Sequence, residues 1–206
     1  TAYEISLGLV GSEMCIRDRY VACFAKNCVT ESLFIFIMTD DLAFKSAYQI
    51  RQLIAKKHES PVEIVEMFLN RISSLDLKLN SYITVAYDEA LKDAKNAERA
   101  VLRGVEIGPL HGVPISVKDL ELTKGVRTTS GSLVFNDRVP DVDSIVVQRI
   151  KASGAIIIGK TNTPEFGYLG TTVNLIGDPC ENPWKEGYTS GGSSGGAAVS
   201  YTHLTL

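Results

Sequence analysis

The 206-residue sequence has few of the residues that anchor metals, disulfides or nucleic acid. Its four cysteines, Cys15, Cys23, Cys28 and Cys180, show no CxxC spacing, and three of them fall in the first 28 residues, so neither a zinc site nor a disulfide framework follows. Clusters of one charge sign are also missing. The 21 Lys and Arg are interspersed with 24 Asp and Glu for a net charge of -3, which gives none of the basic footprint that nucleic-acid binding needs. Long apolar runs are absent too, since residues 33–38 (LFIFIM) fall far short of the roughly 20 residues that span a bilayer. No small-residue cleavage site follows that run, which argues against a signal peptide. There is no internal repeat, and the only low-complexity stretch is SGGSSGG. No metal or cofactor is implied, and a reduced, cytoplasmic setting is the default expectation.

What is present suffices for one sizeable core: 45% of the residues are hydrophobic, and the length suits one domain or part of a larger one. The two ends do not match the middle. Residues 1–20 (TAYEISLGLVGSEMCIRDRY) carry neither helical nor strand periodicity, and residues 200–206 (SYTHLTL) break off what begins as an Ala-rich helix. Both ends resemble translated sequencing-adapter sequence. Residues 1–37 are therefore expected to be artefact or a disordered leader, residues 38–199 the folded part starting at Met38, and residues 200–206 an artefact tail.

Between these ends the pattern alternates helices and strands. Leu42, Ala43, Ala47, Ile50, Leu53 and Ile54 recur at three- and four-residue steps, which predicts a helix over 42–57. Ser60, Pro61 and Glu63 have the spacing of an N-cap, a first-turn proline and a capping box, opening a second helix that buries Val62, Ile64, Val65, Phe68, Leu69 and Ile72. A short strand over 81–85 (SYITV) and an Ala-rich helix over 87–103, closed by Gly104, come next. Residues 113–118 (VPISVK) read as a strand with Val113, Ile115 and Val117 on one side and Ser116 and Lys118 on the other. Asp143 or Ser144 can cap a helix through Ser153, Gly154 ends it, and residues 155–158 (AIII) form an apolar run suited to a strand buried on both faces. The expected fold is α/β, a mixed sheet covered by helices.

Two segments carry chemistry. In residues 108–119 (GPLHGVPISVKD), Lys118 ends a buried strand, where desolvation disfavours its charged form and makes the neutral amine a proton acceptor. The plain alternative is that Lys118 points to solvent or pairs with Asp119. In residues 189–196 (TSGGSSGG), a linker has little purpose between Trp184 and an apolar helix start, and no lysine follows Gly196 as a phosphate-binding GxxxxGK[ST] loop requires. The remaining reading has glycines turning the backbone sharply while Ser193 and Ser194 present hydroxyls at a helix N-terminus. His58 at a helix end and His111 in a turn read as structural rather than as the base of a Ser-His-Asp triad, and His203 lies in the tail.

With GKTNTPEFG at 159–167 and NPW at 182–184 between them, these segments resemble the amidase signature family over about 42–198. Members of that family hydrolyse or transfer amides with a Ser-Ser-Lys triad, so the resemblance implies the N-terminal part of that fold. It further implies Lys118 as the neutral base and Ser193 as the relay serine, following a cis peptide bond from Gly192. Ser194 would support the geometry and Gly167 would lie where backbone approaches substrate. The family's nucleophilic serine and oxyanion hole come about two dozen residues after the relay serine. Only 13 residues follow Ser193 here, so this chain is expected to be inactive, with apolar faces left bare.

The resemblance thus implies an amidase cleaving a small-molecule carboxylic amide to acid and ammonia through an acyl-serine. No direct nucleic-acid or membrane contact is implied, and a homodimer is the assembly allowed for. The second reading is the glutaminase subunit of a tRNA-dependent amidotransferase, from whose FGPTxNPW phrase residues 173–184 (VNLIGDPCENPW) depart. A non-catalytic fragment binding through the Gly-Ser loop is the third.

Overall fold

A computed structural model describes residues 42–204, which lie in the unit Met38–Leu206. The expectations for residues 1–37 fall outside the described residues. Capping decides where the helices begin. Ser46, in extended conformation, accepts from Gln49 N while the Gln49 side chain accepts from the Ser46 backbone, so helix α1 spans Ala47–Ala55 and not the whole of 42–57. The apolar periodicity runs on through Leu42 and Ala43, but a serine that satisfies the first-turn N–H groups splits them off as a separate helical turn.

Helix α2, Pro61–Leu79, starts at Ser60, whose hydroxyl accepts from Val62 N and Glu63 N. The other half of the expected capping box, the Glu63 side chain accepting from Ser60 N, is not formed, and the Ser60 hydroxyl also donates to Glu98 Oε1 at 2.5 Å, tying the start of α2 to the next helix. Its buried residues are Pro61, Ile64, Val65, Phe68, Leu69 and Ile72, with Val62 only partly covered. Asn80 ends α2 in the left-handed conformation, and the Asp76 carboxylate accepts from Ser81 N, Ser81 Oγ and Tyr82 N to turn the chain into strand β1, Tyr82–Val85. Helix α3 spans Tyr87–Leu102, and Gly104 follows with φ +69°.

Strand β2 (Pro114–Lys118), helix α4 (Ile145–Ala152, capped by Ser144) and strand β3 (Ile156–Thr161) complete the framework. The sheet order is β1-β3-β2, with β2 parallel and β1 antiparallel to the central β3. This is the expected mixed sheet, and helices cover both its faces. Ile156 and Ile158 of β3 pack with α2 and α3 in the main core, whereas Ile157 joins Val147 of α4 on the far side. All six residues of β3 are buried, and the strand runs three residues past the apolar run, through Gly159, Lys160 and Thr161.

Strand β2 departs from the expected alternation. Val113 and Ile115 pack in the main core, but Val117 joins the second cluster, and a register shift against β3 falls between Ile115 and Ser116. Such an irregularity breaks the period-2 pattern that sequence reading assumes. Beyond β3 the chain forms a short turn at Glu165–Gly167, a long loop, helix α5 (Gly195–Val199) and a wider helical turn, Ser200–Leu204. Within that last turn Leu204 is buried in the main core, Arg71 donates to the His203 carbonyl at 3.0 and 3.1 Å, and Trp184 stacks edge-on with His203. Several large apolar side chains stand bare, among them Val134 (78% exposed), Leu175 (79%) and Tyr168 (88%).

Candidate active site

The end of β2 is where the two motifs meet. Lys118 Nζ donates to Ser193 Oγ at 2.8 Å and to Ser194 Oγ at 2.9 Å, although 75 residues separate lysine and first serine. Burial holds the Lys118 amine below its ordinary pKa of 10.5. No ion pair joins it to Asp119, whose side chain is fully buried and accepts from Thr129 N (2.9 Å), Thr129 Oγ1 (2.6 Å) and Gly131 N (3.5 Å). The lysine is half-buried, Ser193 likewise, and Ser194 exposed, so the site opens to solvent on the serine side.

The Gly-Ser loop takes its shape from tertiary contacts. The Gly192–Ser193 peptide is cis. Buried Thr172 is the post around which the loop turns, its hydroxyl donating to Gly191 O at 2.8 Å and accepting from Gly195 N at 3.1 Å. A Cβ on Gly195 would collide with that same Thr172 hydroxyl. At Gly196 a Cβ would strike Asn162 N and come within 2.5 Å of Ser81 O, so only glycine lets α5 start against the Asn162 backbone. Thr163 donates to the Ser193 carbonyl at 3.1 Å, tying the Ser193 backbone to the segment after β3. Ser194 occupies the N-cap of α5 yet makes no capping bond; its hydroxyl meets Lys118 instead.

Of the residues singled out from sequence, the structure brings Lys118, Ser193 and Ser194 together, with Gly192 on the cis bond that precedes Ser193. Gly167 lies alongside, with φ +70° and room for a Cβ 3.9 Å from Ser193 Oγ but not beside Leu120 Cδ1, 2.8 Å away. His111 Nε2 is 3.0 Å from Ala97 O, and neither it nor His58 enters the site. Sequence reading missed Thr163, Thr172, Asp119 and Lys160. Thr163 sits inside the GKTNTPEF phrase and was open to notice there, whereas Thr172 lies in an unremarkable stretch with nothing to mark it. Lys160 is fully buried on β3, its amine donating to Glu121 O and, at 2.7 Å, to Thr123 Oγ1; burial pushes its pKa down to about 8. Among the described residues no group of His, Cys, Asp and Glu is placed to hold a metal ion, and no helix is long and apolar enough to cross a membrane.

Residues 63–201 match the family model for amidases, and the chain belongs to the amidase family. It is 40% identical over 158 residues to a glutamyl-tRNA(Gln) amidotransferase subunit of Geobacter sp. (strain M21), covering 77% of this chain and 32% of that protein. To the acylamidase of Rhodococcus erythropolis it is 37% identical over 159 residues, covering 77% of this chain and 33% of that one. A solved bacterial aryl acylamidase of the amidase signature family superposes with a TM-score of 0.75 at 34% identity, over 80% of this chain and 35% of the other. The chain therefore spans about a third of the length of the relatives it matches.

Proposed function

We propose that the protein hydrolyses a small carboxylic amide to acid and ammonia through an acyl-serine, with Lys118 as neutral base and Ser193 as relay serine. The observation that carries this reading is the 2.8 Å contact between Ser193 Oγ and an amine whose pKa burial depresses. A serine hydroxyl is a poor nucleophile until a base takes its proton, and a desolvated lysine can be that base. In the proposed relay Lys118 Nζ takes the Ser193 proton while Ser193 Oγ takes that of the attacking serine. The new C–O bond forms as the carbonyl π pair moves to oxygen, the C–N bond breaks, and the proton held on Nζ returns through Ser193 to the departing amine. Water then cleaves the acyl-serine by the same relay. Ser194 holds Nζ from the other side, Gly192 lets the loop present Ser193, and the backbone at Gly167 borders the substrate. The attacking serine and oxyanion donors are assigned to sequence about two dozen residues beyond Ser193, and a cytoplasmic setting belongs to the same reading.

The identity to the Geobacter amidotransferase favours a second reading, in which the amide is glutamine and the ammonia passes to partner proteins. Residues 173–184 (VNLIGDPCENPW) lean the other way. Ammonia release from simple amides and from glutamine decides between them, measured on the segment carried on to the length of its relatives, with Lys118→Ala as control. Turnover that survives Lys118→Ala would overturn the relay, and turnover confined to glutamine with added partner proteins would select the second reading.

A further inference from the structure

Asp119 is an anomaly that the relay does not absorb. Its carboxylate is fully buried, Oδ2 collects all three hydrogen bonds, and Oδ1 has no partner at all. The ammonium of buried Lys160 acts on it as a counter-charge, yet donates its hydrogen bonds to Glu121 O and Thr123 Oγ1. A buried charge that is incompletely satisfied costs stability, and an apolar residue would fill the same volume more cheaply. What the carboxylate holds is therefore informative.

Asp119 gathers the turn 129–131, and that turn leads to the relay. Ser130 N donates to Asp119 O at 3.0 Å, so the turn is pinned by backbone as well as side chain. Ser130 O accepts from Phe166 N at 2.8 Å, and both Ser130 (φ +56°) and Phe166 (φ +52°) adopt the left-handed conformation there. Such backbone persists in non-glycine residues only where surrounding contacts enforce it. Gly131 packs so closely on Thr163 and Pro164 that a Cβ would lie 2.7 Å from Thr163 O. Thr163 then donates to Ser193 O, and Gly167 closes beside Ser193 Oγ and Leu120.

We infer that Asp119 is a positioning residue for the Lys118–Ser193 pair: through the turn 129–131 it holds the segment 163–167 against Ser193, keeping that serine in register over the Lys118 amine. The inference rests on the relay proposed above, since it takes Lys118 as the group whose environment matters. Asp119 touches neither reacting group. Its action is mechanical and differs in sign from an electrostatic one. Loss of a nearby negative charge would lower the affinity of Lys118 for its proton, whereas loosening the cover lets water reach the amine and raises it.

Trace acetylation by acetic anhydride across pH, read by mass spectrometry at the peptide carrying Lys118, measures that affinity in the 206-residue chain without requiring turnover. In Asp119→Ala the Lys118 titration moves up toward the ordinary 10.5. In Asp119→Asn, which keeps an oxygen acceptor for Thr129 and Gly131, it stays near wild type. Thr129→Val keeps the carboxylate and removes one of its donors, so it shifts the curve in the direction of Asp119→Ala by a smaller amount. A folded Asp119→Ala chain whose Lys118 curve is unmoved or shifted down overturns the inference. Should Asp119→Ala fail to fold, an unmoved curve in Thr129→Val does the same. The two proposals fail separately: these shifts in the 206-residue chain beside no ammonia release from the segment carried on to the length of its relatives refute only the amidase reading, and an unmoved Lys118 beside such turnover refutes only the role of Asp119.

Discussion

Lys160 makes the stability of this chain rise with pH over a window where proteins usually lose it. The amine is fully buried and its pKa falls to about 8 from 10.5. Below about pH 8 folded and unfolded chains both hold the proton, and the cost of burying the ammonium is carried in full. Above that, the folded chain releases the proton while the unfolded chain keeps it, so unfolding binds a proton and stability climbs with pH. At about 1.36 kcal/mol per pH unit, the climb would total about 3 kcal/mol if Lys160 acted alone.

Cys180 opposes it. Burial raises that thiol to about 11 from 9.0, so above about pH 9 the unfolded chain sheds a proton that the folded chain retains, and stability falls with pH. The two slopes cancel from about pH 9 to 10, leaving a net gain of about 1 kcal/mol between pH 7 and 9 followed by a plateau. Urea unfolding at fixed pH steps checks this. Cys180→Ala should convert the plateau into a continued rise of about 2 to 3 kcal/mol by about pH 10, and Lys160→Met should cut the rise back to the smaller part that the depressed Lys118 amine contributes. A wild-type stability that is flat or falling between pH 7 and 9, or a rise undiminished in Lys160→Met, refutes the reasoning.

Other substitutions test the scaffold of the site. Gly196→Ala places a methyl group against Asn162 N and Ser81 O, and we expect a loss of about 1 to 3 kcal/mol in thermal unfolding with displacement of the Ser193 loop. Thr172→Val strips the loop of its post and leaves the buried Gly195 N without an acceptor, costing about 1 to 3 kcal/mol in denaturant titration. Ser60→Ala removes the cap of α2 and the bond to Glu98, and about 1 kcal/mol should be lost. A Ser60→Ala chain as stable as wild type would show that the cap is replaced by water.

Elements set by neighbouring residues were legible in the sequence. The cap at Ser60, the buried stripe of α2, the stop at Gly104 and the doubly buried run at 156–158 all follow from local chemistry and period, and the structure has each of them. Errors arose where a competing contact intervened. The apolar period through Leu42 and Ala43 said helix, but Ser46 capped a new one. Glu63 had the spacing for a capping box, but only the half in which the Ser60 hydroxyl accepts from Glu63 N forms. Alternation along 113–117 put Val117 with Ile115 until a register shift against β3 separated them.

By itself the sequence singled out Lys118 at a strand end and the serines of a glycine loop, by type and motif, and the structure brings them together. Tertiary structure alone decided what surrounds them. Thr172 holds the loop and Thr163 holds Ser193 through single hydroxyls whose partners lie 19 to 30 residues away, and no local pattern encodes such a bond. Nothing in one dimension marks Lys160 as buried, or Asp119 as bound to the turn 129–131 instead of Lys118. Packing buries them both and half-buries Lys118, lowering its pKa, because desolvation depends on every neighbour at once and not on the residues next in the chain.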